Sequence, residues 1–278
     1  MQQSDKKNAK RSNKRFYQIL LFVFVIALVI VLIFMGKSYI AQKQAQNHYE
    51  ELAGAAVTNE DTETVTDSTQ QEDILAERGI VVPEKNLDWE ALQSENEDIY
   101  AWIYIPNTQV DYPILQHPTE ADYYLDHNLD DSTGYPGCIY SQNPSSKEFM
   151  DPLTVLYGHN MKNGTMFGSL HEFEDNEFFE QNSYIYIYTP EKTLVYEIFS
   201  ACEFSDAHLM YTYNFGETSG FNQFVDDVSS VRAMNAHVRS DVEVEYGDYL
   251  LTLSTCIKNK PENRWLVTAV LVNKPENE

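Results

Sequence analysis

Near the N-terminus the chain holds an unbroken apolar run, Phe16 to Met35, whose only strongly polar member is Gln18. At about 1.5 Å per residue this run predicts a helix of roughly 30 Å, the thickness of a bilayer's hydrocarbon, and so a transmembrane segment over 16–35. The Gln/Ala-rich residues 37–56 predict a juxtamembrane continuation of that helix. Thr58 to Asp73 is a Thr/Glu/Asp/Gln stretch with almost no large apolar residue, which predicts a linker. Residues 36–79 are therefore read as juxtamembrane helix and acidic linker, and 80–278 as the folded domain.

From Ile80 the pattern becomes that of short strands. Asp88 is a plausible N-cap for a short helix through Gln93. Alternation then predicts strands at Ile99–Ile105, Gln109–Leu115, Gly137–Ser141, Leu153–Tyr157, Tyr184–Thr189, Thr193–Ala201, Tyr249–Ser254 and Trp265–Val272. The first pair, joined at Pro106-Asn107, and the pair around Thr189-Pro190-Glu191-Lys192 read as hairpins. Phe221, Phe224, Val225, Val228 and Val231 recur at helical spacing after a cap at Ser219, which places a helix before the last two strands. Many short strands with few helices predict a mostly β domain, closed as a barrel or packed as a sandwich.

Charge fixes the expected orientation. The formal net charge is -24, yet residues 1–50 carry 8 of the 19 Lys/Arg and only 2 of the 43 Asp/Glu. Lys6, Lys7, Lys10, Arg11, Lys14 and Arg15 precede the apolar run, so residues 1–15 are expected to be a cytoplasmic tail and the chain beyond about residue 37 to lie outside the cell. A cleaved signal peptide would have a shorter apolar stretch and a small-x-small cleavage site, and nothing clear of that kind follows Met35. The acidic remainder repels nucleic acid. Its dispersed carboxylates read as a solvated surface rather than a metal site, and no cofactor is implied.

Three cysteines, Cys138, Cys202 and Cys256, fall in the external portion, and an odd number cannot all pair within one chain. Cys138 and Cys202 sit in apolar contexts and read as small buried hydrophobes. Cys256 ends the apolar run Leu251-Thr252-Leu253-Ser254-Thr255 and is followed by the polar Lys258 to Asn263, so it is held on a strand yet opens to solvent. His159 lies just past an apolar strand at a Gly-His-Asn turn, where an imidazole can exchange a proton near neutral pH; His171 is its nearest rival. Arg264 heads the last strand, and an antiparallel pairing of the last two strands would fold it back beside the sulfur as a permanent cation for an oxyanion. Taken singly, each is more often a structural residue. Their combination is what matters.

Thr-Leu-Ser-Thr-Cys ending one strand, a following Arg at the head of the next and an upstream Tyr-Gly-His-Asn-Met together resemble the signature of sortases. Leu87-Asp88-Trp89, the stretch Ile105 to Ile114, the run from His159 to Gly168 and the long helical insert are similar to the class B branch, and the resemblance covers about residues 85–273. It implies an eight-stranded sortase-type β-barrel with short N-terminal helices. It also implies a transpeptidase in which Cys256 attacks the threonine carbonyl of a C-terminal sorting motif of the Leu-Pro-x-Thr-Gly or Asn-Pro-x-Thr type, on a surface protein. His159 would protonate the departing amine, and Arg264 would stabilise the oxyanion. Ser254, Thr255 and Asn160 would contact the substrate. The acceptor would be the amine of a cell-wall precursor peptide or, in the manner of some class B relatives, a pilin lysine. The eight residues from Cys256 to Arg264 are a short connection for that branch. A papain-like hydrolase and a non-enzymatic surface-binding domain are the competing classes; the first opens with its cysteine on a helix, and the second needs no reactive thiol.

Overall fold

The computed structural model describes residues 2–55 and 74–274, with side chains from Phe16 onward. Helix α1 (Gln2–Ala55) includes the apolar run, and among the described residues it is the only helix long and apolar enough to cross a membrane. It extends well past the twenty apolar positions because the flanking Lys, Arg, Gln and Ala are themselves good helix formers. The expected linker, Thr58–Asp73, lies outside the described residues. Compactness divides the chain into two units, one ending at Asn47 and one starting at His48.

The second unit is built on β1 (Ile99–Tyr104), β2 (Asp111–Leu115), β3 (Ile139–Ser141), β4 (Leu153–Tyr157), β5 (Tyr184–Tyr188), β6 (Thr193–Ser205), β7 (His237–Val238), β8 (Leu250–Ile257) and β9 (Lys260–Leu271). Their order is β5-β1-β2-β3-β4-β8-β9-β6, and β6 pairs back onto β5, so eight strands close a barrel. Closure removes the exposed edges an open sheet would present. The two-residue β7 adds to the outside of β6. Both expected hairpins form, β1 with β2 and β5 with β6. Helix α2 (Trp89–Glu95) starts as expected, with the Asp88 carboxylate accepting from Ala91 N at 3.0 Å.

Two layers of apolar residues result from strand alternation. Leu251, Leu253, Trp265, Val267, Ala269 and Leu271 point into the barrel. Leu250, Leu266, Val270, Leu153 and Val155 point outward and would be exposed without a cover. That cover is α3 (Thr218–Ser229), whose Phe221, Phe224 and Val228 are fully buried against them. Ser219 is not its cap. Glu217 occupies that position without a side-chain cap bond, and Val231 falls beyond the helix.

The largest departure from expectation is at β8 and β9. Lys258 to Asn263 reads as a polar loop, but β8 continues through Cys256 to Ile257, a two-residue turn follows at Lys258-Asn259, and β9 begins at Lys260. Asn259 takes the left-handed backbone conformation, φ 63°, that such a tight reversal needs and that asparagine tolerates. The register slips immediately after Cys256, so Pro261, Glu262 and Asn263 bulge out of the pair. Proline is tolerated there because a bulged position needs no ladder donor.

Candidate active site

Backbone register assembles the site. β4 and β8 run parallel with Tyr157 opposite Ser254, so continuing two residues along both strands brings His159 level with Cys256. β8 and β9 run antiparallel with Cys256 directly opposite Arg264. Alternation puts Cys256 and Arg264 on the outer face, in line with Leu250 and Leu266. Along this face the cover of the insert runs out. Thr252 is 0% exposed and Ser254 6%, whereas Cys256 is open to solvent. The other two thiols are buried, which pushes Cys138 up to about 12 and Cys202 up to about 11, so both stay protonated and unreactive.

His159 is held from several sides. Gly158 N donates to Ser254 O at 3.3 Å, and Thr255 Oγ1 donates to Gly158 O at 2.8 Å, which staples the end of β4 to β8. A Cβ on Gly158 would come within 2.8 Å of the Phe167 ring, so only glycine permits this approach. Beyond it, Phe167 N donates to His159 O at 3.0 Å and closes the loop on itself. The imidazole Nε2 lies 2.6 Å from Leu125 O. A carbonyl only accepts, so Nε2 carries the hydrogen and Nδ1 is the nitrogen left to exchange protons. The Tyr135 ring packs 4.8 Å from the imidazole. Tyr49, from the end of α1, buries its ring against Tyr112 and donates its hydroxyl to Gly137 O at 2.9 Å, steadying the loop that carries Tyr135.

The guanidinium of Arg264 donates through Nη1 to Pro261 O at 2.8 Å and Asn263 O at 2.9 Å. It thereby satisfies the bulge carbonyls and is fixed by them, and among the described residues Nε and Nη2 remain as donors. Its charge reaches the wall of the site. Burial raises the Tyr157 hydroxyl to about 12, with Asp122 adding to the rise and Arg264 opposing it. Tyr140 stacks on Tyr157 with ring centroids 5.5 Å apart; its hydroxyl is raised by burial first, then by Asp122, with smaller contributions that include Cys256. Tyr140 and Tyr157, on β3 and β4, thus flank β8 on the side away from Arg264.

The three residues expected at the substrate take three different settings. Ser254 shares the face of Cys256. Thr255 is 2% exposed and points inward, its hydroxyl donating to Gly158 O, so it locks two strands together. Asn160 directs its amide nitrogen to Cys256 O at 2.8 Å and to His171 Nε2 at 2.9 Å. His171, passed over in favour of His159, also lies at the site, with its Nε2 3.1 Å from Cys256 O. No sequence pattern marks it, because it sits in a 3₁₀ turn, Gly168–Glu174, whose place beside β8 is set by tertiary packing.

The Sortase domain family model matches residues 103–272. Sortase B of Listeria monocytogenes is 32% identical over 185 residues, covering 66% of this chain and 73% of the relative. Sortase B of Staphylococcus aureus is 26% identical over 243 residues, covering 87% and 90%. The crystal structure of sortase B from B. anthracis in complex with AAEK1 superposes with a TM-score of 0.61 at 27% identity, covering 86% of this chain and 98% of that one. An open cysteine on a closed eight-stranded barrel and these matches along the same residues lead to one conclusion: the chain belongs to the sortase family of cysteine transpeptidases, in its class B branch.

Proposed function

We propose that this transpeptidase cleaves a C-terminal sorting motif of the Leu-Pro-x-Thr-Gly or Asn-Pro-x-Thr type after threonine and joins the new carboxyl end to an amine of a cell-wall precursor. The apolar segment of α1 anchors it in the cell membrane, with the basic tail inside and the barrel outside. Cys256 Sγ attacks the threonine carbonyl carbon, and Arg264 donates to the oxyanion that forms. As the C–N bond breaks, the departing amine takes a proton from His159, leaving a thioester on Cys256. The acceptor amine then attacks the thioester, His159 removes its proton, and the thiolate is released.

The observation that carries this reading is the coincidence of the one solvent-open thiol with the Arg264 cross-strand position and the end of β4 that bears His159. The test uses the full chain in detergent micelles with labelled peptides of both motif types and an added wall-peptide amine. A transfer product with the amine supports the reading. Hydrolysis that added amine never diverts, or no turnover of either motif, contradicts it. A faster reaction with a lysine side chain in a folded pilin-like partner would favour subunit polymerisation.

A further inference from the structure

We propose that Glu174, His171 and Asn160 form a positioning chain that sets the peptide carbonyl of Cys256, and with it the aim of the sulfur, from the side of the helical insert. Glu174 Oε1 lies 2.5 Å from His171 Nδ1, so a carboxylate there holds that hydrogen and fixes the ring. The same ring is stacked on Trp265, with centroids 5.8 Å apart and planes 28° apart. Trp265 is itself fully buried and donates Nε1 to Leu170 O at 2.9 Å. The opposite edge of the imidazole, Nε2, is then left facing Asn160 Nδ2 at 2.9 Å and Cys256 O at 3.1 Å, while Asn160 Nδ2 donates to Cys256 O at 2.8 Å.

With its hydrogen held on Nδ1 by Glu174, the neutral His171 ring presents Nε2 as an acceptor; it takes the second amide hydrogen of Asn160 and so orients the amide onto the carbonyl. The place matters because the β8–β9 register breaks between Cys256 and Ile257, where regular pairing ceases to hold the peptide plane. Side chains do so instead. Glu174 also reaches the insert between β6 and β8: its Oε2 accepts from Asn235 Nδ2 at 3.0 Å, and its carbonyl lies 3.0 Å from His237 Nε2. A chain of polar contacts thus runs from the insert to the backbone of the nucleophile.

The catalytic consequence rests on the transpeptidase reading, whereas the hydrogen bonds themselves do not. The experiment therefore reads both, on the full chain in micelles with carbonyl-¹³C cysteine, the Cys256 resonance being assigned by its loss in C256S. H171F removes the ring nitrogens, N160D turns the amide donor into an acceptor, and H171Q can place its amide oxygen near the Nε2 position as an acceptor for Asn160. The chain predicts that the Cys256 carbonyl resonance moves in H171F and N160D. It also predicts that kcat falls about tenfold or more in both with KM within about twofold, and that H171Q recovers most of the loss. If H171F fails to fold, N160D reads the same two quantities. An unmoved carbonyl resonance overturns the proposal, as does an unchanged kcat in a wild-type background that turns over. If the wild type turns over no sorting peptide, the functional reading fails and the resonance alone decides the positioning chain.

Discussion

Cys256 and Arg264 are cross-strand partners, and the ladder between them breaks on the next residue, where Ile257 pairs with Lys260. The bulge that results is what makes Arg264 available. Its carbonyls at Pro261 and Asn263 fix one nitrogen of the guanidinium, so the side chain is held at the position across from Cys256 with no ion-pair partner among the described residues.

Arg264→Lys is expected to lower kcat by about a hundredfold while KM changes by less than about threefold. An ammonium has no planar fork with which to satisfy the bulge carbonyls and still donate to an oxyanion. Steady-state kinetics on a labelled sorting peptide checks this, and a lysine variant with wild-type kcat would contradict the oxyanion role.

Gly158→Ala is expected to destabilise the protein by about 1–3 kcal/mol, because the added methyl meets the Phe167 ring at 2.8 Å and Ile139 Cδ1 at 2.5 Å in a filled interior. It should also reduce activity, since His159 follows directly. Denaturant unfolding measures the first effect and peptide turnover the second.

Alkaline pH should destabilise the fold through its buried thiols. Cys138 and Cys202 are raised from an ordinary 9.0 to about 12 and about 11, so the folded state binds these protons more tightly than the unfolded chain. That contribution is fully present below the unfolded value and is lost as pH rises through the folded values. Unfolding free energy should therefore fall between about pH 9 and about pH 11, and replacing both thiols by alanine should make the fall shallower. An unfolding free energy that rises over that range would contradict the assignment.

Much of the barrel was legible because alternation and turn chemistry are local. The Asp88 cap, both hairpins and the apolar face of α3 follow from neighbouring residues alone. Three features were not. Pro261-Glu262-Asn263 has the composition of a loop, and only pairing with β6 on its far side, Asn263 with Ser205, keeps it extended. The parallel pairing of β4 with β8 joins residues 97 apart, as in Leu153 with Leu250, and no local signal encodes that register. His171 and Asn160 take their meaning from a carbonyl, Cys256 O, which every residue type possesses and which no side-chain pattern can announce.

The account turns on a covalent bond between one particular sulfur and the substrate. Intact-mass spectrometry of the full chain, quenched in acid during reaction with a sorting peptide, should show an adduct with the mass of the fragment ending in threonine. Peptide mapping should place it on Cys256, and Cys256→Ala should show neither adduct nor turnover. Product formed at the wild-type rate by Cys256→Ala, or an adduct mapped to any other residue, would contradict the account.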